Sequence, residues 1–105
     1  MAGASVKVLA ILRPRGASDV RAAIASHAVE ELRALWQLYS QGTVREMYSP
    51  GGPGAILILE TESPATAEAL LEQLPLLANH VMALELIELR PFAALRMLFA
   101  EAGRD

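Results

Sequence analysis

Glu31 is the residue best placed to do chemistry in this chain. A helix is expected over residues 19–41, and a wheel at about 100° per residue sets Glu31 among Val20, Ile24 and Leu35, inside the apolar stripe. Ionisation is disfavoured there. The carboxyl pKa should rise, which suits a general acid or base near neutral pH. A structural reading stands beside it: the side chain reaches the rim of the stripe, or pairs with an arginine from the sheet. His27 lies one turn earlier on the edge of the same stripe. A His–carboxylate pair at this spacing is a candidate proton-transfer unit. The spacing would also suit two metal ligands, but no third ligand is identifiable and His80 is isolated after the second helix, so no metal is expected. Arg45 opens the second strand, where an inward guanidinium could grip a substrate carboxylate bidentately, or pair with Glu31, Glu60 or Glu85. Tyr48 and Trp36 are able to line a pocket or to join the core.

Other chemistries are excluded. Without cysteine there are no disulfides, thiolate nucleophiles or iron–sulfur clusters. The loop Ser49-Pro50-Gly51-Gly52-Pro53-Gly54 lacks the lysine and the following helix of a phosphate loop. Neither histidine has a serine in a nucleophile-elbow setting. Nine basic against twelve acidic residues, a net charge of −3 and no basic stripe argue against nucleic acid. No apolar run approaches the about 20 residues of a membrane span, and no targeting segment is visible, so a cytoplasmic protein without a membrane partner is expected.

The 105 residues make one domain, 1–105. An apolar fraction of 53% rules out disorder and suggests apolar surface shared with a partner. Residues 6–12 read as a strand buried on both faces and stopped by Pro14. Ser18 or Asp19 caps the long helix, with Val20, Ile24, Ala28, Leu32, Leu35, Leu38 and Tyr39 on its apolar side, and Gly42 ends it. Residues 43–49 and 55–61 form two strands joined by the Pro-Gly loop as a hairpin. Ser63 and Pro64 open a second helix that closes near Leu74-Pro75. A fourth strand, 81–90, and an apolar-faced helix, 92–102, complete the chain.

The order β-α-β-β-α-β is the split-βαβ, ferredoxin-like α+β pattern, with a four-stranded antiparallel sheet, helices on one face and an extra C-terminal helix. Two helices cover only one face of such a sheet, yet the strands are apolar on both. The uncovered face calls for a second copy, so a homodimer or higher homo-oligomer is expected.

From Glu31 to Leu76 the sequence resembles the muconolactone isomerase family of the dimeric α+β barrel superfamily. The resemblance rests on Gln41-Gly42-Thr43-Val44-Arg45, the acidic-ended strand Leu59-Glu60, the Ser/Pro helix start and Gln73-Leu74-Pro75-Leu76. It implies a cofactor-free homo-oligomer with a pocket between sheet and helices, acting as an isomerase that moves a proton within a small unsaturated lactone acid from aromatic catabolism. Glu31 then inherits the acid–base role, with His27 as its modulator and Arg45 as the carboxylate anchor. The chain departs from the family in its first strand, which has Lys7 but no histidine, and in the greasier Ala55-Ile56-Leu57-Ile58-Leu59. A non-catalytic small-molecule-binding module, a purely structural oligomer and a cofactor-free monooxygenase of the same superfamily are the alternative readings.

Overall fold

The computed structural model describes residues 5–16 and 20–100. The elements are β1 (Val6–Pro14), α1 (Val20–Ser40), β2 (Val44–Tyr48), β3 (Ala55–Thr61), α2 (Pro64–Leu71), α3 (Pro75–Ala78) and β4 (Met82–Leu89), then a 3-10 turn (Ala93–Arg96) and α4 (Met97–Ala100). The sheet order is β2-β3-β1-β4 with every pairing antiparallel. This is the ferredoxin-like α+β arrangement that the order of elements implied. The proposed caps Ser18 and Asp19 lie outside the described residues.

Alternation along the strands sorts the two faces. Val8, Ala10, Leu12, Leu57 and Leu59 point under the helices and are buried. They meet Leu71, Leu74, Leu76 and Leu77 in one core. The opposite face carries Leu9, Ile11, Ile56, Ile58 and Ile87, none of them fully buried. Arg13, paired with Glu85 at 2.7 Å, and Arg45, paired with Glu60 at 3.5 Å, edge that face with charge.

Helix ends follow local chemistry. Gly42 has φ of +86°, its N–H donates to the Tyr39 carbonyl, and the Thr43 N–H donates to the Leu38 carbonyl. This is a Schellman stop, which needs a residue comfortable at positive φ. Ser63 Oγ accepts from the Thr66 N–H at 3.1 Å and Pro64 occupies the first turn. Ser63→Ala should lower stability by about 1 kcal/mol, read from the urea midpoint.

Three boundaries differ from the sequence expectation. Pro14 belongs to β1, opposite Met82 of β4. The Arg15 N–H bonds Val81 on that side, so the missing Pro14 amide faces the β3 side, where pairing already ends at Leu12–Ala55. The second helix ends at Leu71 rather than near Leu74, because Leu74, ahead of Pro75, is held extended (φ −63°, ψ 135°), and α3 begins after it. The C-terminal helix expected over 92–102 is instead a 3-10 turn followed by one α-helical turn, and residues 101–105 lie outside the described part. Phe92, Leu95, Met97, Leu98 and Phe99 on this tail are all exposed. No helix among the described residues is long and apolar enough to cross a membrane.

Candidate functional site

The buried side of α1 is centred on Glu31. Ile24, Ala28, Ala34, Leu35 and Leu38 surround it on the helix and are half-buried, while Glu31 itself is 5% exposed and is the one fully buried residue of α1. Its Oε1 accepts a hydrogen bond from the Leu76 N–H at 2.9 Å. The reason lies in α3. Leu74 at its N-cap offers no side-chain acceptor, so a first-turn amide is left free, and the carboxylate arriving from α1 takes it. Burial is the largest influence on Glu31 and pushes its carboxyl above the usual range. The Leu76 N–H, and then the charge of His27, pull in the other direction without reversing the shift.

Glu31 stands at the wall of a cavity of about 340 Å3. Leu12 of β1, Ile24 and Leu35 of α1, Leu76 of α3 and Met82 of β4 supply apolar walls, and Gly52-Pro53-Gly54 of the β2–β3 loop forms one side. No buried side-chain oxygen among the described residues lacks a hydrogen-bond partner. Oε2 has no such partner among them, so it is not sealed, and Glu31 lines the cavity. The site therefore offers one carboxyl, half tied to the backbone and half free, in apolar surroundings. That carboxyl can accept a proton from, or donate one to, a bound molecule.

The other candidate residues do not converge on it. His27 is on the same side of α1, but its Nδ1 lies 3.9 Å from Glu30 Oε1, so its near partner is the neighbouring carboxylate. Arg45 does not pair with Glu31. Its neighbour Val44 is buried in the core, so Arg45 points the other way, to the uncovered sheet face, where it meets Glu60. The β-bulge between Val44 and Glu46 puts Glu46 on that face as well. Glu60 is five residues along β3 from the cavity-lining Ala55, a rise of about 17 Å. Tyr48 also lies on the uncovered face, half exposed, with its hydroxyl donating to Glu46 Oε1 at 2.6 Å, a bond that raises the phenol pKa. Trp36 is neither core nor lining of this cavity. It stands on the outer side of α1, 63% exposed, with its ring centroid 5.9 Å from that of Tyr39. Leu32 and Tyr39 are likewise more exposed than the wheel placed them, because the buried side of the helix is turned towards Glu31 rather than towards the most apolar arc.

Sequence reasoning missed the Leu76 amide, the loop glycines and Met82 as parts of the site. The Leu74-Pro75 step was the available signal for the first, since a proline after an extended residue starts a helix with free amides. Among the described residues no group of three or more His, Cys, Asp or Glu side chains is gathered to hold a metal.

The fold and cavity define a ferredoxin-like α+β chain with one buried carboxyl in an apolar pocket. No family model and no curated protein matches the chain. Among solved structures it is similar to 5-chloro-2-hydroxyhydroquinone dehydrochlorinase from Burkholderia phenoliruptrix AC1100, in complex with 2,5-dihydroxybenzoquinone. The TM-score is 0.60 at 16% identity, over 79% of this chain and 93% of that one. The likeness shows the shared fold.

Proposed function

We propose that this protein binds a small unsaturated ring compound in the Glu31 cavity and moves a proton beside its carbonyl, as an isomerase of the kind that acts on lactone intermediates of aromatic breakdown. The observation that carries the reading is a buried carboxyl, with one oxygen bonded to Leu76 and the other unpaired among the described residues, on the wall of an otherwise apolar cavity. A carboxyl whose pKa is raised by burial holds and releases protons nearer neutrality than an exposed one. The likeness to an enzyme solved with a hydroxylated quinone supports a ring-shaped ligand. The test is an NMR assay with muconolactone, and with the corresponding neutral lactone, in deuterated buffer. Deuterium uptake beside the carbonyl that depends on Glu31 supports the reading; no exchange on either compound removes it.

A non-catalytic binding module is the second reading, favoured by the hydrogen bond that ties Oε1 to α3. It predicts ligand binding without exchange.

The working form in this proposal is a homo-oligomer of the dimeric α+β barrel type, with the uncovered sheet faces of two copies packed together. Leu9, Ile11, Ile56, Ile58 and Ile87 supply an apolar centre, and the Arg13–Glu85 and Arg45–Glu60 pairs a charged rim, as at stable interfaces. Ile58→Asp should shift the protein to monomer in light scattering while preserving its circular dichroism. An oligomer that survives the substitution would place the interface elsewhere.

A further inference from the structure

We infer that the ligand of the Glu31 cavity is uncharged: a single-ring ketone, lactone or phenol with one oxygen directed at Glu31 and no free carboxylate. This rests on the pocket reading above and narrows its substrate class. Leu12, Ile24, Leu35, Leu76 and Met82 supply no polar side-chain atom, so Glu31 is the ionisable group on the cavity wall.

No described lysine or arginine lines this cavity, and His27, whose charge acts on Glu31 from one turn earlier in α1, is not on its wall. Arg13 is held by Glu85, Arg45 by Glu60 and Arg90 by Glu88. Lys7 and Arg90 line a separate cleft at the β1–β4 end of the sheet, Arg15 lines another beside His80, and Arg33 lies along the outer side of α1. An anion entering the cavity would leave water for apolar walls and meet the Glu31 carboxyl with no described cationic side chain on the wall to pair with, and both effects oppose it. A neutral ring is favoured by the same walls. Its oxygen can receive a hydrogen bond from the protonated carboxyl or, as a hydroxyl, donate one to the ionised form. The volume of about 340 Å3 is at the small end of ligand pockets and suits a single substituted ring.

The test compares two probes by methyl NMR titration: a methyl-substituted cyclohexenone, and the same ring with a carboxylate in place of the methyl group. The neutral ring should shift the methyl resonances of Leu12, Leu35 and Met82 and bind at least about tenfold more tightly at neutral pH. Glu31→Gln should narrow that gap. Leu32→Arg supplies an independent variant, because Leu32 lines the cavity mouth yet is 64% exposed, so the substitution leaves the core intact. It should bring the carboxylate probe to near-equal affinity. A carboxylate that binds wild type as tightly as the neutral ring, or a gap unmoved by both variants, overturns the inference while leaving the pocket in place. If neither probe moves the cavity methyls, the pocket reading fails and the inference with it.

Discussion

Glu31→Gln is expected to slow deuterium exchange beside the substrate carbonyl by about 100- to 10,000-fold, the usual contribution of a positioned acid–base group. The amide of glutamine has the size of the carboxyl and keeps an oxygen for the Leu76 N–H, so α3 stays capped. What it cannot do is carry a proton to or from Oε2. The same variant should be more stable than wild type at neutral pH. Burial raises the Glu31 carboxyl above its unfolded value of 4.5, so the folded state holds the proton more tightly than the unfolded state. Stability from that group is complete below the unfolded pKa and is lost as pH rises through the higher folded pKa. Wild type and variant should therefore unfold alike below pH 4.5, with wild type falling behind as the pH rises towards neutral. Urea midpoints of both proteins across this range give the comparison. A variant that loses stability equally at all pH values would show that the carboxylate, charged or not, serves only as the cap of α3. A full rate with the stability difference intact would leave Glu31 structural and favour the binding module.

The fold was legible because its signals are short-range and repeated. Apolar runs at β1, β3 and β4, the Gly42 stop and the Ser63-Pro64 start each act within a few residues. Glu31 was legible for the same reason: a helical wheel needs only the period, and the period placed a carboxylate inward. Arg45 was not. The bulge between Val44 and Glu46 sets Val44 and Met47, three residues apart, on the same covered face. Alternation counted from Met47 therefore turns Arg45 inward while its buried neighbour Val44 turns it outward, and the sequence does not mark the extra residue. Leu32 and Tyr39 misled in another way. The wheel finds the arc richest in apolar side chains, whereas the rotation of α1 is fixed by the α3 amide that Glu31 caps and by the leucines beneath it. The apolar arc left outside, Val29, Leu32, Trp36 and Tyr39, is a tertiary outcome with no local mark.

Gly54→Ala should cost about 3 kcal/mol or more, the largest loss expected from a single methyl group in this chain. Two independent causes act at this position. Gly54 has φ of +126°, a conformation that side-chain-bearing residues rarely adopt. A Cβ built there would also lie 2.4 Å from the Leu12 carbonyl oxygen, a backbone atom that cannot rotate away. Relief requires the β2–β3 loop to lift off β1. The loop is a wall of the Glu31 cavity, so the same shift should open the site and weaken ligand binding along with stability. Gly51→Ala separates the two causes. Gly51 also has positive φ, +96°, but nothing lies within 4 Å of its added Cβ, so only the conformational cost of about 1–2 kcal/mol remains. Urea midpoints for both variants, with methyl NMR shifts of Leu12 and Met82, distinguish the outcomes. Equal losses at the two glycines would mean that the close approach of Gly54 to β1 is not what fixes this wall. A larger loss at Gly54, accompanied by shifts at Leu12, would tie the loop's anchoring on that strand to the shape of the pocket.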